Sequence, residues 1–290
     1  MAKYSYDFSV IGGDKRQYYL AKILKKRGYK VGTYLLESFQ EKEEIPCMNS
    51  FETAIRSAKN ILAPTPMGIQ KEGKKELFHF ENQKILIEKF EEEMQEKQRL
   101  FAGCIPEEVK EGLLQKGIVI FDYMTRKEIA IYNSVATAEG VIAEAIIHNP
   151  KNIYKSRCVV LGYGICGKTI VQYLKGMGAY VTVCVRREEA KASASLMADE
   201  AIFIEDMTAS LKKSDFIFNT IPDKILKTSI LKQLKNQPMI LDIASGSGGV
   251  DYEYAKQVGI EAYLCKALPG KYAPESSAAI LAKLILENEN

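Results

Sequence analysis

Histidine is nearly absent: His79 and His148 are the two in 290 residues. So few argue against a His-based hydrolase and against a metal site built on several histidines. His79 falls in a charged stretch and His148 at the end of an expected helix, so both read as structural or surface residues. An excess of one charge is also lacking. Lys and Arg total 40 against 37 Asp and Glu, a formal net charge of +3. That is too small to mark a nucleic-acid or membrane-surface protein. No apolar run approaches the ~20 residues that span a bilayer. The N-terminal Met-Ala-Lys-Tyr-Ser-Tyr-Asp has no signal-peptide core, so a cytoplasmic protein is expected. Six cysteines (Cys47, Cys104, Cys158, Cys166, Cys184 and Cys265) include no Cys-x-x-Cys pair. They read as buried reduced thiols, with neither a disulfide framework nor a metal site. The run Glu91-Glu92-Glu93 reads as a solvated helix face.

What is present is the balance of a globular chain, 47% hydrophobic and 27% charged. The length suggests two domains of roughly 145 residues. Short apolar runs alternate with amphipathic stretches throughout, which signals βα units and parallel sheets. In the first half, strands are expected at Phe8–Gly12, Tyr29–Leu35, Asn60–Ala63, Arg99–Cys104 and Gly117–Asp122. Helices are expected at Arg16–Arg27, Ser50–Ser57, roughly Asn82–Glu93, and Pro106–Lys116, with Gln70–Phe80 a loop or short hairpin. In the second half the strands are Arg157–Gly162, Tyr180–Val185, Ala201–Ile204, Asp215–Asn219, Met239–Ala244 and Ile260–Leu264. The helices there are Ile165–Met177, Glu188–Met197, Asp206–Lys212, Lys224–Leu234, Tyr252–Val258 and Pro274–Glu287. Between the halves, Thr125 and Glu128 have capping-box spacing and start a short helix, and a second helix follows at about Thr137–His148. The expected fold is α/β: two Rossmann-like, doubly wound parallel-sheet domains with a cleft between them. Their limits are residues 1–133 and 134–273, with the helix at 274–290 packing back on the first.

The most specific local motif is Gly162-Tyr163-Gly164-Ile165-Cys166-Gly167, a Gly-x-Gly-x-x-Gly between a strand and a helix. Gly162 permits the tight turn, Gly164 lets a pyrophosphate approach the backbone, and Gly167 lets helix and strand pack closely. The helix start then offers free N–H groups to the phosphates. The second strand of this half ends in Arg186-Arg187, where an NAD site usually has an acid. A guanidinium suits the 2′-phosphate of NADP, so NADP is favoured and NAD is the alternative. Asn219-Thr220-Ile221-Pro222 ends a further strand and is expected to line the same crevice.

Four other stretches are candidates for the substrate. Gly12-Gly13-Asp14-Lys15-Arg16 sets two cations and a carboxylate at a helix start, suited to an anion or to plain capping by Asp14. Asn133-Ser134-Val-Ala-Thr137-Ala-Glu139-Gly140 gathers an amide, two hydroxyls and a carboxylate just before the interdomain helix. Ser245 sits in the glycine-rich loop that follows Asp242. Lys271 lies in Leu268-Pro-Gly-Lys-Tyr-Ala-Pro274, ahead of the last helix. A cleft between two domains is where they would converge.

Together these motifs resemble one family, the A-subunit of dipicolinate synthase. The resemblance runs nearly the whole length, through Ile-Gly-Gly-Asp14-x-Arg16-Gln, Met124 to Gly140, the glycine fingerprint, Asp242-Ile-Ala-Ser245 with its Gly-Gly-Val-Asp251 tail, and Leu268-Pro-Gly-Lys271-x-Ala-Pro274. It departs from the family pattern at Ala136, where proline is expected, and at the Ser245-Gly-Ser-Gly loop, where a basic residue and a proline are more usual. The resemblance implies a sporulation enzyme of the mother-cell cytoplasm. It would oxidise dihydrodipicolinate, formed from 4-hydroxy-tetrahydrodipicolinate, to dipicolinate with NADP, alongside the flavoprotein-like B-subunit of dipicolinate synthase. Lys15, Arg16 and Lys271 are then the candidates for the dicarboxylate, and Asp14 or Glu139 for the proton; assembly into a homo-oligomer is left open. Two other readings fit parts of the sequence: a shikimate- or amino-acid-dehydrogenase-like enzyme, and a non-catalytic NADP-binding protein.

Overall fold

The computed structural model describes residues 4–40, 45–71, 73–79 and 83–288. The chain divides into two compact units, Met1–Tyr132 with Ala273–Asn290, and Asn133–Tyr272.

In the first unit, five strands form one parallel sheet: β1 (Tyr6–Ile11), β2 (Val31–Tyr34), β3 (Ala58–Leu62), β6 (Arg99–Ala102) and β7 (Val119–Asp122). Their order is β2-β1-β3-β6-β7. A separate antiparallel hairpin, β4 (Gly68–Lys71) with β5 (Lys74–Leu77), occupies the stretch expected as loop or hairpin. Alternate strand residues face opposite ways. Ile11, Ile61 and Leu100 join the core under α2 (Phe51–Arg56), α3 (Ile87–Glu93) and α4 (Glu107–Gln115). Val10, Leu62 and Phe101 join the core under α1 (Lys15–Lys26) and the chain's last helix, α12 (Pro274–Glu287). Helix α1 forms because Asp14 caps it and Tyr18, Leu20, Ala21 and Leu24 make one apolar face. Residues 80–82, on which the expected start of the third helix fell, lie outside the described residues.

The second unit holds β8 (Arg157–Leu161), β9 (Tyr180–Val185), β10 (Glu200–Phe203), β11 (Phe216–Asn219), β12 (Met239–Asp242) and β13 (Ala262–Leu264). They form a parallel sheet in the order β10-β9-β8-β11-β12-β13. This is the doubly wound nucleotide-binding order, with a crevice where the chain reverses direction at β8 and β11. The strands read as continuous apolar runs because α6 (Ile165–Gly176), α7 (Glu188–Ala194), α8 (Met207–Leu211), α9 (Thr228–Leu231), α10 (Tyr252–Gln257) and α11 (Leu268–Tyr272) cover the sheet.

Two expectations need correction. The short helix and later helix expected around Asn133 are one continuous helix, α5 (Lys127–His148). Its polar groups are satisfied without a break: Thr137 Oγ1 donates to the Asn133 carbonyl at 2.8 Å, and Ser134 Oγ meets Thr169 Oγ1 at 2.7 Å. Ala136, where a proline would have interrupted the ladder, is helical and buried. Length and apolar composition would let α5 cross a bilayer, but half of its apolar 18-residue stretch is buried. Its Ala138, Val141, Ile142 and Ala145 pack in the core of the second unit. The Leu268-Pro-Gly-Lys-Tyr stretch that carries Lys271 forms a helical turn of its own, α11. Second, the cysteines are not uniformly buried. Cys158, Cys184 and Cys265 are, whereas Cys47 and Cys104 are exposed and Cys166 is half-buried. Cys47 and Cys104 lie outside the strands, whereas Cys158 and Cys184 are strand residues of β8 and β9 inside the covered sheet.

Candidate dinucleotide site

Strand β8 runs out into Gly162, whose φ of +95° is a left-handed conformation that glycine adopts without strain. A Cβ at Gly162 would collide with Thr220 Oγ1, and one at Gly167 with the Gly162 carbonyl. These two glycines are therefore dictated by packing. Gly164 differs: a Cβ there would meet nothing within 4 Å. It is the N-cap of α6 and makes no side-chain capping bond, so the first-turn N–H groups face the open side of the turn. Ile165 begins α6 and is partly exposed. The Cys166 thiol is pushed up by burial, which keeps it a neutral thiol at ordinary pH.

A cavity of about 180 Å³ opens beside this turn, lined by Gly162, Tyr163, Val185, Arg186, Arg187 and Ile221 among others. Its wall is apolar below and cationic at the rim, which fits an adenosine with a negative group at its edge. Burial raises the Tyr163 phenol, and Lys168 Nζ lies 5.4 Å from the centre of that ring. Both arginines are exposed. Arg186 Nη2 donates to Asp223 Oδ2 at 2.6 Å.

The opposite wall rests on a buried polar frame. Asn219 Nδ2 donates to the Ile221 carbonyl at 3.0 Å and to Asp242 Oδ1 at 2.9 Å, and Asn219 Oδ1 accepts from Ile221 N at 3.1 Å. Thr220 Oγ1 donates to the Leu161 carbonyl at 2.9 Å, tying β11 to β8. Asn219 and Thr220 thus shape the Thr220-Ile221-Pro222 turn, while the exposed Pro222 ends it. Asp242 is fully buried and accepts from Ala244 N at 2.9 Å, Gly249 N at 2.6 Å and Tyr252 Oη at 2.7 Å. Burial first, then the Asp242 carboxylate, pushes the Tyr252 phenol far up. This carboxylate holds the Ser245–Gly249 loop closed on itself, with the Ser245 side chain outward and exposed. Nothing in the sequence singles out Asp223, Asp242 or Tyr252 as site residues, because the bonds Arg186–Asp223, Asn219–Asp242 and Asp242–Tyr252 join positions 37, 23 and 10 residues apart.

The remaining candidates fall in two groups. On α5, Ser134 is buried against Thr169 of α6, and Asn133 and Thr137 are half-buried. Exposed Glu139 accepts from Tyr173 Oη at 3.0 Å. Lys271 does not stand free: its Nζ donates to Glu144 Oε1 at 2.6 Å, and the other oxygen of Glu144 lies 3.1 Å from His148 Nε2. Burial works to raise the Glu144 carboxyl, but hydrogen bonds from Lys271 and Tyr272 and the nearby cations outweigh it and hold it below the usual range. The Glu144 carboxylate in turn raises Lys271.

In the first unit, Asp14 and Arg16 are committed to each other. Both are buried, and Arg16 Nε and Nη2 meet the two Asp14 oxygens at 2.9 and 2.8 Å. Arg16 Nη2 also donates to the Thr65 carbonyl. Asp14 Oδ1 further accepts from Arg16 N, so the start of α1 is already capped. Lys15 is exposed.

The glycine turn, the sheet order and the rim cations define a two-domain α/β protein of the Rossmann dinucleotide-binding class. Residues 7–124 match the family described as the N-terminal domain of the dipicolinate synthase A-subunit, and residues 124–251 match the D-isomer specific 2-hydroxyacid dehydrogenase NAD binding domain. The dipicolinate synthase A-subunit of Bacillus subtilis (strain 168) is 38% identical over 160 residues, which is 55% of this chain and 54% of that relative. The match thus spans about half the length of the curated relative. The crystal structure of the dipicolinate synthase A-subunit from Bacillus halodurans superposes with a TM-score of 0.85 at 27% identity, covering 99% of this chain and 98% of that one. The corresponding Bacillus subtilis crystal structure gives 0.79 at 28% identity, with the same coverage. The chain thus resembles dipicolinate synthase A-subunits in fold over nearly its whole length, and in sequence over about half of it.

Proposed function

We propose that the chain is an NADP-dependent oxidoreductase that converts dihydrodipicolinate to dipicolinate in the mother cell of a sporulating bacterium. The observation that carries the reading is the open turn at Gly164, backed by an uncapped helix start and ending in a cavity rimmed by Arg186 and Arg187. The cradle fits a dinucleotide: the position a Cβ would fill at Gly164 is clear, and its neighbours are fixed by packing. Gly162 to Gly167 would hold the pyrophosphate, and Arg186 or Arg187 the 2′-phosphate. When bound, the nicotinamide supplies a hydride acceptor. The chain's own part is orientation and charge, because aromatisation of the substrate ring drives the reaction and no strong nucleophile is needed.

The substrate carries two carboxylates; exposed Lys15 is the proposed cation for one, while Arg16 and Lys271 would serve only by leaving Asp14 and Glu144. Asn133, Ser134, Thr137 and Ser245 are proposed as polar contacts. For the proton, Glu139 is better suited than Asp14. It is exposed and hydrogen-bonded to a phenol, whereas Asp14 is locked by a buried guanidinium. The family name, which belongs to one component of a synthase, supports the flavoprotein-like B-subunit as partner. The test follows reduced nicotinamide and dipicolinate together, with NADP and NAD in parallel and with and without the B-subunit. Matched formation of the two with NADP supports the proposal. Cofactor binding without dipicolinate under every condition would sink it.

A further inference from the structure

We propose that Asp223 is a specificity-determining residue of this site, an internal counter-anion on Arg186 that the 2′-phosphate of NADP has to displace. The inference rests on the dinucleotide reading of the second unit given above. Arg186 directly follows β9 and lines the cavity beside Gly162 and Ile221. Asp223 comes from the loop after β11, directly behind the Thr220-Ile221-Pro222 turn. Strands β9 and β11 flank β8 on either side. The 2.6 Å ion pair between Arg186 Nη2 and Asp223 Oδ2 therefore links the two strand ends that border the glycine turn.

A guanidinium fork binds carboxylate and phosphate oxygens through the same donors, so one anion can take the place of the other. The Arg186 and Asp223 side chains are 55% and 64% exposed, which makes the pair weak and easily opened. A 2′-phosphate arriving at Arg186 meets a carboxylate already there and is repelled by it. The bare 2′-hydroxyl of NAD carries no charge and makes no such demand. Asp223 thus narrows the preference for NADP that Arg186 confers, and its removal should widen it.

The experiment titrates NADPH and NADH by fluorescence against the full chain, Asp223→Asn, Arg186→Gln and the double variant. Asp223→Asn should tighten NADPH by about fivefold and move NADH by less than about twofold, as expected for an exposed charge. Arg186→Gln should weaken NADPH selectively, and adding Asp223→Asn to it should tighten NADPH by less than the same change does in the parent chain. An Asp223→Asn ratio of NADPH to NADH affinity equal to that of the parent chain overturns the inference alone. If the parent chain binds neither nucleotide, the dinucleotide reading falls and the inference with it.

Discussion

The first strand of each unit ends in a glycine turn, and the two turns have opposite fates. In the first unit, Gly12 and Gly13 have φ of +60° and +92°. Gly13 N donates to the Phe78 carbonyl at 2.6 Å, and a Cβ on Gly12 would lie 2.9 Å from that same oxygen. The segment after the β4–β5 hairpin fills the space a phosphate would need, and Asp14 already caps α1. In the second unit, Gly162 has a similar φ of +95°, yet Gly164 faces open space and α6 has no side-chain cap. Left-handed glycines at a βα junction therefore announce a tight turn. Whether that turn holds an anion depends on what else packs over it and on whether an acid has claimed the helix start.

The sharpest way to break this contrast is to fill both turns. Gly167→Val, whose side chain must displace the Gly162 carbonyl, should weaken dinucleotide binding by ~100-fold or more in calorimetry. Gly12→Ala should lower stability by about 1–3 kcal/mol and leave affinity unchanged, since its cost is backbone strain. Loss of binding in a folded Gly12→Ala variant would contradict the contrast. The buried acids extend it. Asp14→Ala leaves Arg16 buried without its counter-charge and should cost about 3–5 kcal/mol in denaturant unfolding. Asp242→Ala strands several buried donors and should cost about 2–4 kcal/mol, and it should loosen the Ser245–Gly249 loop as seen by amide exchange. If Asp14→Ala is as stable as the parent, the first turn is not held by that pair.

A smaller effect separates the two kinds of acid by pH. The Glu144 carboxyl is lowered on folding, so its contribution is full above the ordinary carboxylate value of 4.5 and fades as pH falls through the folded value. Lys271 is raised from 10.5, so its contribution is full below that value and fades only as pH rises past the folded one. The stability gap between the parent chain and Glu144→Gln should be about 1 kcal/mol at neutral pH and shrink below pH 4.5. A gap that is constant across acid pH would show that the Glu144 charge contributes nothing. The smallest change is Ser134→Ala, which removes the bond to Thr169 between α5 and α6 and should cost about 1 kcal/mol.

Much of this arrangement was legible along the chain. The βα alternation, the six strands of the second unit and the glycine turn all rest on local properties: apolar runs, capping residues and glycine spacing. The arginines after β9 were legible for the same reason, since one strand end sets their place. The continuous α5 was not, because Asn133, Ser134 and Thr137 are weak helix formers, yet here the Thr137 hydroxyl bonds back to the Asn133 carbonyl and the Ser134 hydroxyl meets Thr169 on α6. Lys271 looked like a free cation, and Arg16 like one open to substrate. Glu144 and Asp14 claim them, the first from 127 residues away.

Local order thus follows from residue type and spacing, because strand, helix and turn preferences act over a few neighbours. Partnership does not: which charge meets which, which turn is covered and which acid is buried are decided when distant strand ends are brought together. Coulombic and hydrogen-bond energies depend on distance and burial, and neither is written in the order of the residues.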